Sequence, residues 1–460
     1  MPAQQHHLLP LGDQPVTSLK QYRELTGGNG LERASRMSNE DIIQEIRQAG
    51  LRGRGGAGFV TAIKWTGAAR AEHGRKFLVA NGAEGEPGTF KDRYLMRLNP
   101  YAIIEGALIG LETIGAERCY IGIKDSFEKE RDALLRAIGE FAQETQLVSK
   151  LELVLGTDEY LFGEETGMLE VIEGGLPLPH VFPPYLHGLF SGAYGGPETN
   201  PTVVDNVETL AHVPSILLRG SDWFRSTGNA DTPGTMIFTL SGDVLQPCVR
   251  EVPLGRTLRQ LIDDDGNGVR TGHHLKAVFP GLANSVVPPS AFDIPIGFDA
   301  MRAAGTSVGS GGFIVYDESR CMVQVAYLFS NFLHVESCNQ CPPCKTASGI
   351  ITNALERLLS GVGELSHIDE IVTATGWVEN SARCYLATSE ALVISSILRA
   401  YPGDFERHAG TMRCELDHDI QLPKIVDYSP DSGFTYDGLY SRKQPDWSYE
   451  ISTGLDVLEA

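Results

Sequence analysis

Residues 53–58 read GRGGAG, and residues 81–88 read NGAEGEPG. Four of the six residues in the first segment are glycine, so its backbone N–H groups can closely approach a phosphate or a flat ring. Arg54 inside this segment and Lys64 beyond it supply positive charge, which attracts a phosphate. These residues predict a loop that binds a phosphorylated ligand, although an ordinary glycine-rich loop is the alternative when the segment is considered alone.

The first segment fits the G-x-G-x-x-G fingerprint of Rossmann domains only superficially. No β-rich run leads into it, and no acidic residue follows about 20 residues later, after a second strand. The second segment offers Asn81, Glu84 and Glu86, whose side chains can accept hydrogen bonds from a ribityl or ribose chain. The two segments together predict a binding site outside the usual fingerprint.

Two later motifs also carry groups suited to a binding site. Residues 160–166 read YLFGEET and place two carboxylates side by side after a glycine. Adjacent carboxylates repel each other, so a fold that tolerates them often uses their charge, but two solvated glutamates at the start of a helix are the alternative. Residues 201–210 read PTVVDNVETL, a strand-like run that turns into a helix.

A third region is rich in cysteine. Residues 338–344 read CNQCPPC, a spacing that lets one short loop wrap three corners of a cuboidal iron–sulfur cluster. Structural zinc sites usually consist of two separated pairs, and disulfides among three such close cysteines would leave one thiol over. Cys321 and Cys414 are expected to be core or surface thiols. The predicted ligands of a [4Fe–4S] cluster are Cys338, Cys341, Cys344 and Cys384.

The composition limits the class of protein. A chain of 460 residues with 42% hydrophobic composition is long enough for several domains. The formal net charge of −21 argues against nucleic-acid binding and against docking on anionic lipid. No apolar run approaches the ~20 residues that span a bilayer, and residues 1–7 do not resemble a signal peptide. Eight cysteines in so long a chain do not form a disulfide scaffold, which favours a cytoplasmic location, including the soluble arm of a membrane-associated complex.

The order and spacing of the glycine-rich motifs resemble one protein family. Residues 51–59, followed by Lys64 and Trp65, and then residues 81–96 resemble the NADH-binding flavoprotein subunit of respiratory complex I. The same module occurs in NAD-linked hydrogenases and formate dehydrogenases. The two later motifs resemble the flavin-site motifs of this family, and the cysteine region resembles its cluster motif. The resemblance implies FMN, NAD(H) and a [4Fe–4S] cluster as cofactors.

The resemblance also implies roles for individual residues. A residue like Phe59 stacks on the adenine of NADH, and Glu86 and Glu165 are implied as catalytic residues that orient the nicotinamide side. The positions implied to bind FMN or NADH are Gly53, Arg54, Gly55, Gly56, Phe59, Lys64, Asn81, Glu84, Glu86, Tyr160, Gly163, Glu164, Glu165, Tyr185, Val204, Asn206 and Thr209.

Several positions depart from the family pattern. Phe182 stands where a lysine is usual, and Tyr185 stands where a stacking phenylalanine is usual. Asn339 replaces the glycine that usually follows the first cluster cysteine, and Ala83 and Asp205 replace an aspartate and an asparagine. These departures concern the details of nucleotide binding and leave the flavin prediction intact.

Alternating helical and strand-like runs before residue 230 predict a layered α/β architecture. Together with the resemblance, they indicate a Rossmann-like domain that lacks the usual fingerprint, a ubiquitin-like β-grasp insert and a C-terminal helical bundle that carries the cluster. The predicted divisions are an N-terminal arm over residues 1–35, the FMN- and NADH-binding α/β domain over 36–232, the β-grasp domain over 233–300, the helical [4Fe–4S] domain over 301–414 and a C-terminal arm over 415–460 that packs on this chain or on a partner.

The predicted function is that of the NADH-oxidising flavoprotein module of a multisubunit oxidoreductase. Hydride passes from NADH to FMN, and single electrons then pass to the cluster. The resemblance implies a thioredoxin-like [2Fe–2S] subunit and a further iron–sulfur or ferredoxin partner, with no nucleic acid and no direct membrane insertion. The alternatives are a diaphorase independent of complex I that exchanges electrons between NADH and ferredoxin, and a scaffold in which the cluster has only a structural role.

Overall fold

The computed structural model describes residues 8–9, 11, 14–192, 199–410 and 414–450. Residues 1–7, on which the prediction about a signal peptide rests, lie outside this range, as does the end of the predicted C-terminal arm. Among the residues that the structure describes, no helix combines the length and the apolar character needed to cross a bilayer.

The first part of the chain is a layered α/β domain, as the alternating pattern predicts. Its four strands form one parallel sheet in the order β3-β2-β1-β4. The elements are α1 Leu19–Thr26, α2 Gly30–Ala34, α3 Asn39–Ala49, α4 Thr61–Arg70, β1 Phe77–Asn81, α5 Lys91–Leu98, α6 Pro100–Ile114, β2 Arg118–Lys124, α7 Glu128–Phe141, β3 Leu151–Gly156, α8 Glu165–Ile172, β4 Thr202–Asn206, α9 Val207–Arg219 and α10 Ser221–Arg225.

Strand β1 lies inside this sheet and positions the binding motifs. Residues 77–80 are fully buried, which matches their continuous apolar run, and the strand ends at Asn81. Asn81 pairs in register with Asn206, the last residue of β4. Both motifs therefore leave the sheet at the carboxyl ends of adjacent parallel strands, the usual position of a ligand site in an α/β fold.

The predicted N-terminal arm over residues 1–35 contains regular structure in its second half. Helices α1 and α2 lie there, and the hydroxyl of Tyr22 donates to Glu105 at 2.7 Å. The same carboxylate accepts from the backbone N–H of Leu31 at 3.0 Å, which fixes α2 against α6. Both helices are short, so contacts with the rest of the fold supply most of their stability.

A second, mixed sheet follows, with strand order β6-β5-β8-β7. Strands β5 and β6 form an antiparallel pair, and β8 lies parallel to β5 at the centre of the sheet. Because β8 lies beyond residue 300, the second sheet extends past the predicted end of the insert, whose ubiquitin-like character stays a prediction. The elements are β5 Thr235–Gly242, β6 Cys248–Pro253, α11 Leu258–Gln260, β7 Leu275–Pro280, α12 Phe298–Ala303 and β8 Gly312–Asp317.

The third part is a helical bundle, in agreement with the sequence. Helices α13, α14 and α16 pack on one another around a buried apolar core. The loop between α13 and α14 carries the cysteine triplet, and Cys384 precedes α16. The elements are α13 Met322–Glu336, α14 Pro342–Leu359, α15 Leu365–Thr375, α16 Leu386–Ala400 and α17 Pro402–His408.

The C-terminal segment packs back on the same chain. It contains the antiparallel strands β9 Ile425–Ser429 and β10 Gly433–Tyr436. The ammonium group of Lys424 donates to the carbonyl of Gly85 at 2.8 Å, and the hydroxyl of Tyr440 donates to Glu336 at 2.9 Å. The segment therefore contacts both the second glycine-rich motif and the helix that leads into the cysteine loop.

Candidate functional site

A cavity of about 730 Å³ lies where the α/β domain, the second sheet and the helical bundle meet. This volume is within the ~300–1,000 Å³ typical of cofactor and ligand sites. The predicted residues that line it are Gly53, Gly55, Gly56, Phe59, Lys64, Asn81, Glu84, Glu86, Tyr160, Gly163, Glu164, Glu165, Val204 and Asn206. The fold thus brings four distant motifs to one cavity, whereas Arg54, Tyr185 and Thr209 lie outside its lining.

Arg54 does not offer its charge to this cavity. Its side chain is fully buried and donates to the carbonyls of Thr235 at 3.1 Å and Arg52 at 2.8 Å. Its backbone N–H donates to the Thr209 hydroxyl at 2.9 Å. Burial lowers the pKa of Arg54 to about 10. Arg54 and Thr209 therefore fix the glycine loop to α9 and to the second sheet, a role that charge and spacing alone did not indicate.

The backbone of the glycine loop needs its glycines. Gly56 has φ of 125°, in the region that side chains rarely adopt. On the opposite motif, a Cβ at Gly163 would lie 2.9 Å from the carbonyl oxygen of Ala83. These positions keep two walls of the cavity free of side chains, so a flat ring or a phosphate can approach backbone atoms.

A charged network supports the floor of the cavity. Lys91 is buried and donates to Asp92 at 2.6 Å, and it forms an ion pair with Glu208 at 3.0 Å. Burial alone would lower the pKa of Lys91, but the two carboxylates outweigh it and raise the pKa above its ordinary value. Asn206 donates to Asp92 at 2.8 Å, and Asn81 donates to the carbonyl of Gly163 at 2.8 Å. The two predicted amide side chains thus order the motifs around them.

Glu84 is committed to the protein rather than free for a ligand. Its carboxylate forms an ion pair with Arg93 at 3.0 Å and accepts from the backbone N–H of Asp92 at 3.1 Å. These bonds close the turn between β1 and α5. The expectation that Glu84 accepts hydrogen bonds from a ribityl or ribose chain therefore competes with two strong internal partners.

Glu86 links the second glycine-rich motif to the second sheet. Its carboxylate accepts from the backbone N–H groups of Leu282 at 2.8 Å and Ala283 at 3.1 Å, and from the Ser310 hydroxyl. Burial raises the pKa of Glu86, although these three donors oppose the shift. The contacts position the loops at residues 281–285 and 305–310 along the cavity.

The two adjacent carboxylates of the 160–166 motif have different roles. Glu164 caps α8, accepting from the backbone N–H groups of Thr166 at 2.9 Å and Gly167 at 2.8 Å. Glu165 pairs with Lys64 at 2.6 Å and keeps 46% of its side-chain surface exposed. Burial alone would lower the pKa of Lys64, but Glu165 and Asp205 outweigh it and raise the pKa. Glu164 therefore lies at the helix start, as in the alternative, but it is half-buried rather than solvated, and Glu165 faces the cavity as half of an ion pair.

Of the two aromatic residues predicted to contact the ligands, one lines the cavity and the other does not. Phe59 lines the cavity and remains 49% exposed, so a ring could stack on its face. Tyr185 is 67% exposed and lies away from the cavity lining, as does Phe182. The structure therefore supports a stacking role for Phe59 and gives Tyr185 no contact with this site.

Sequence reasoning missed the contribution of the second sheet. Asn284 and Ser285 of the predicted β-grasp domain line the cavity, as does Arg302 just beyond its predicted end, and none of the three is among the predicted site residues. Asn284 donates to the carbonyl of Pro280 at 2.8 Å, and Arg302 lies in α12. The glycine-rich residues 309–312 were the available signal, since a tight turn next to β8 brings these loops to the cavity wall.

A second, small cavity of about 10 Å³ is lined by all four predicted cluster ligands. Cys338, Cys341 and Cys344 come from the loop before α14 and its first turn, and Cys384 comes from the end of the loop before α16. Each of these cysteines is a free thiol. Burial raises the pKa of Cys384 to about 12, so holding this sulfur as a thiolate requires a cation at the centre.

The backbone conformation and the hydrogen bonds of the cysteine loop are compatible with a cluster. Asn339 has φ of 65°, the left-handed conformation in which asparagine is the best substitute for the glycine usual in the family. The Lys345 ammonium donates to the carbonyls of His334 at 2.8 Å and Pro445 at 2.7 Å. Gln340 donates to the sulfur of Cys338 at 3.5 Å, a contact that favours a ligating thiolate. The residues present therefore fit an iron–sulfur cluster.

The two cavities share a wall. Leu161, Cys384 and Leu386 line both of them. Tyr160 lies on the large cavity, and its backbone N–H donates to Glu336, two residues before the first cluster cysteine, at 3.0 Å. A group in the large cavity and a cluster on the four thiols would thus share Leu161, Cys384 and Leu386 as neighbours.

Two protein-family profiles match the regions that form these cavities. The Nuo51 FMN-binding domain matches residues 46–215, and the NADH-ubiquinone oxidoreductase-F iron-sulfur binding region matches residues 324–408. The first region contains the motifs at the end of β1 and β4, and the second contains all four cysteines. The predicted FMN and [4Fe–4S] cofactors are confirmed at the level of these regions.

Individual relatives agree with the profiles. The NADH-quinone oxidoreductase F protein of Rickettsia felis is 38% identical over 80% of this chain and 88% of its own length. The second NADH-quinone oxidoreductase F protein of Rhizobium meliloti is 35% identical over 82% of this chain and 90% of its own length. A crystal structure of an NAD⁺-reducing [NiFe]-hydrogenase in the H₂-reduced state superposes with a TM-score of 0.73 and 29% identity, covering 83% of this chain and 64% of that chain.

These matches confirm the family, the Rossmann-like α/β fold and the cofactors expected from the sequence. The chain belongs to the NADH-quinone oxidoreductase F family, whose members are the NADH-oxidising subunits that carry FMN and a [4Fe–4S] cluster within a multisubunit oxidoreductase.

Proposed function

We propose that the large cavity holds FMN with the nicotinamide of NADH beside it, and that electrons leave through a cluster on the four thiols of the small cavity. When bound, FMN accepts a hydride from NADH as an electron pair and releases single electrons, which an iron–sulfur cluster requires. The observation that carries this proposal is the shared wall of Leu161, Cys384 and Leu386, which keeps the two sites adjacent.

The residues of the large cavity bind and orient rather than transfer protons. The bare backbone of residues 53–58 and the ammonium group of Lys64 are suited to phosphate and ring contacts. Phe59 at the cavity edge would stack on the adenine, and Glu165 would orient the nicotinamide side. Glu86 acts through the loops that it holds, so we propose a positioning role in place of the catalytic role implied by the resemblance.

The full-length chain tests this proposal directly. After anaerobic reconstitution it should contain about four iron atoms per chain together with bound FMN. NADH should bleach the flavin absorption and support reduction of an artificial dye. Protein that binds neither flavin nor iron, or bound flavin that NADH leaves oxidised, would contradict the proposal.

We propose a thioredoxin-like [2Fe–2S] subunit as the immediate electron acceptor and the cytoplasm as the location. A chain with one cluster must pass its electrons on, and cluster thiolates persist in a reducing compartment. A carboxylate near the adenosine ribose would repel a 2′-phosphate, which favours NAD over NADP. Subunits that co-purify with the tagged chain should include a [2Fe–2S] protein that NADH reduces. Recovery of a ferredoxin alone would instead favour the diaphorase alternative.

A further inference from the structure

Two cysteines that the sequence assigned to the core or the surface converge with two histidines, far along the chain from the cluster loop. The ligand atoms of Cys321, His408, Cys414 and His418 all lie within 4.8 Å of one another. Cys321 is fully buried, and the other three are half-buried. They come from the residue before α13, the end of α17 and the loop that begins the C-terminal segment.

The distances match a tetrahedral metal site. His408 Nε2 lies 3.3 Å from His418 Nε2 and 3.2 Å from Cys321 Sγ. With Zn–N of about 2.0–2.1 Å and Zn–S of about 2.3 Å, a tetrahedral zinc ion places two nitrogens about 3.3 Å apart and a nitrogen and a sulfur about 3.5 Å apart. Two thiolates and two imidazoles form a common zinc ligand set.

The surrounding bonds orient the ligands. His408 Nδ1 lies 3.1 Å from the carbonyl oxygen of Leu358, which favours the tautomer with a proton on Nδ1 and a lone pair on Nε2. A carbonyl partner for the distal nitrogen is the usual arrangement around a metal-bound histidine.

The loop that carries Cys414 and His418 is held in place by its backbone. The N–H of Cys321 donates to the carbonyl of Asp417 at 3.1 Å, and the N–H of Asp417 donates to the carbonyl of Ser319 at 2.8 Å. A short parallel bridge between Arg320 and Asp417 results. The four ligands are therefore brought together by a fixed arrangement of three chain segments rather than by one mobile loop.

We propose that Cys321, His408, Cys414 and His418 bind one zinc ion, distinct from the iron–sulfur cluster, that fastens the C-terminal segment to the helical bundle. The ion would link the start of α13 to the end of α17 and to the loop that follows. Because the other end of α13 leads to the cysteine loop and the C-terminal segment contacts Glu336, this ion would hold in place both elements that frame the cluster.

Metal content separates this site from the cluster. The reconstituted full-length protein should contain one zinc per chain in addition to its iron, measured by inductively coupled plasma mass spectrometry. Cys321→Ser should lose the zinc and retain the iron, whereas Cys384→Ser should lose the iron and retain the zinc. Cys248→Ser, at a buried cysteine of the second sheet, is the matched control and should retain both.

A second measurement guards against a variant that fails to fold. Cobalt(II) added to the zinc-depleted wild-type protein should produce the visible ligand-field absorption of a tetrahedral sulfur- and nitrogen-ligated site, and His418→Ala should weaken it severalfold. Less than a tenth of an equivalent of zinc in the wild-type protein, together with no cobalt spectrum, would overturn the proposal. A disulfide between Cys321 and Cys414 in peptide maps would also overturn it.

Discussion

The two cavities that share a wall differ in what their side chains do. In the large cavity, most carboxylates and amides are already bonded to the protein: Glu86 has three donors, and Glu164 caps a helix. In the small cavity, four free thiols converge on one space. The large site therefore offers mainly backbone, shape and a few exposed groups, whereas the small site offers its side chains directly as ligands.

This difference explains which kind of site is easier to predict from a sequence. A ligand set can be read from a sequence because the residue type and the spacing are themselves the chemistry. A binding site formed by backbone atoms cannot be predicted in the same way, because the polar residues nearby can either face the ligand or support the loop. Arg54, Glu84 and Thr209 do the latter.

The largest effect is expected at the shared wall. Cys384→Ser should remove the cluster and reduce electron transfer to an iron–sulfur acceptor by more than about 100-fold, because one ligand in four is lost. NADH should still bleach the bound flavin, since the large cavity keeps its motifs. Stopped-flow absorption at the flavin band and iron analysis measure the two effects. If flavin reduction by NADH fell as much as electron transfer to the acceptor, the flavin site and the cluster site would not function independently.

The next largest effect is expected at the charged network that supports the floor of the large cavity. Lys91→Met should lower the apparent free energy of unfolding by about 3–5 kcal/mol, because Asp92 and Glu208 would lose their buried cation. Thermal unfolding followed by circular dichroism, together with FMN retention, is the measurement. Lys20→Met is the control, since Lys20 is 88% exposed and lies 4.0 Å from Glu24. Equal stability of the two variants would remove the structural role assigned to the network.

A carboxyl group with few partners distinguishes the helical bundle from the large cavity. Glu390 is fully buried, and Ser330 donates to it at 2.6 Å; burial raises its pKa to about 8. Because this folded-state pKa lies above the ordinary value of 4.5, the free energy of unfolding should fall as the pH rises between these two values. Glu390→Gln should abolish that slope and stabilise the protein on the order of 3 kcal/mol at pH 7.

Unfolding of the two proteins across this pH range checks the prediction. Glu24→Gln serves as the control, because the side chain of Glu24 is 67% exposed. A slope that persists in Glu390→Gln would place the responsible group elsewhere.

The smallest effect concerns the exposed aromatic residues. Phe59→Ala should raise the KM for NADH about 5–10-fold, because loss of a stacking face costs about 1–1.4 kcal/mol. FMN content should not change. Tyr185→Ala should leave the KM unaltered, since Tyr185 lies away from the cavity lining. Steady-state dye reduction measures both constants, and a larger effect at Tyr185 would restore the contact that the resemblance implied.

Secondary structure was predicted well wherever local signals were strong. Ser38 and Gly50, residue types that favour the two ends of a helix, cap α3, and the continuous apolar run of residues 77–80 forms the buried β1. Helices α1 and α2 were missed although Ser18 and Gly27 cap α1 and Asn29 caps α2, because each helix is too short to show an extended apolar period. The loops of the second sheet that line the cavity were also missed: the glycines of residues 309–312 indicate a tight turn, but not which surface that turn will face.

The sequence alone predicted the cofactors, through its resemblance to a family, and it predicted four cluster ligands, because the spacing of the cysteines suits the cluster that they would contact. Tertiary structure decided the rest. It buried the Arg54 side chain, gave Glu164 and Glu165 different partners and placed Cys384 in the wall that the two cavities share. It also brought Cys321 close to His408 and His418. Whether a polar side chain binds a ligand or supports a loop depends on which donors surround it, and those donors come from segments far away in the chain.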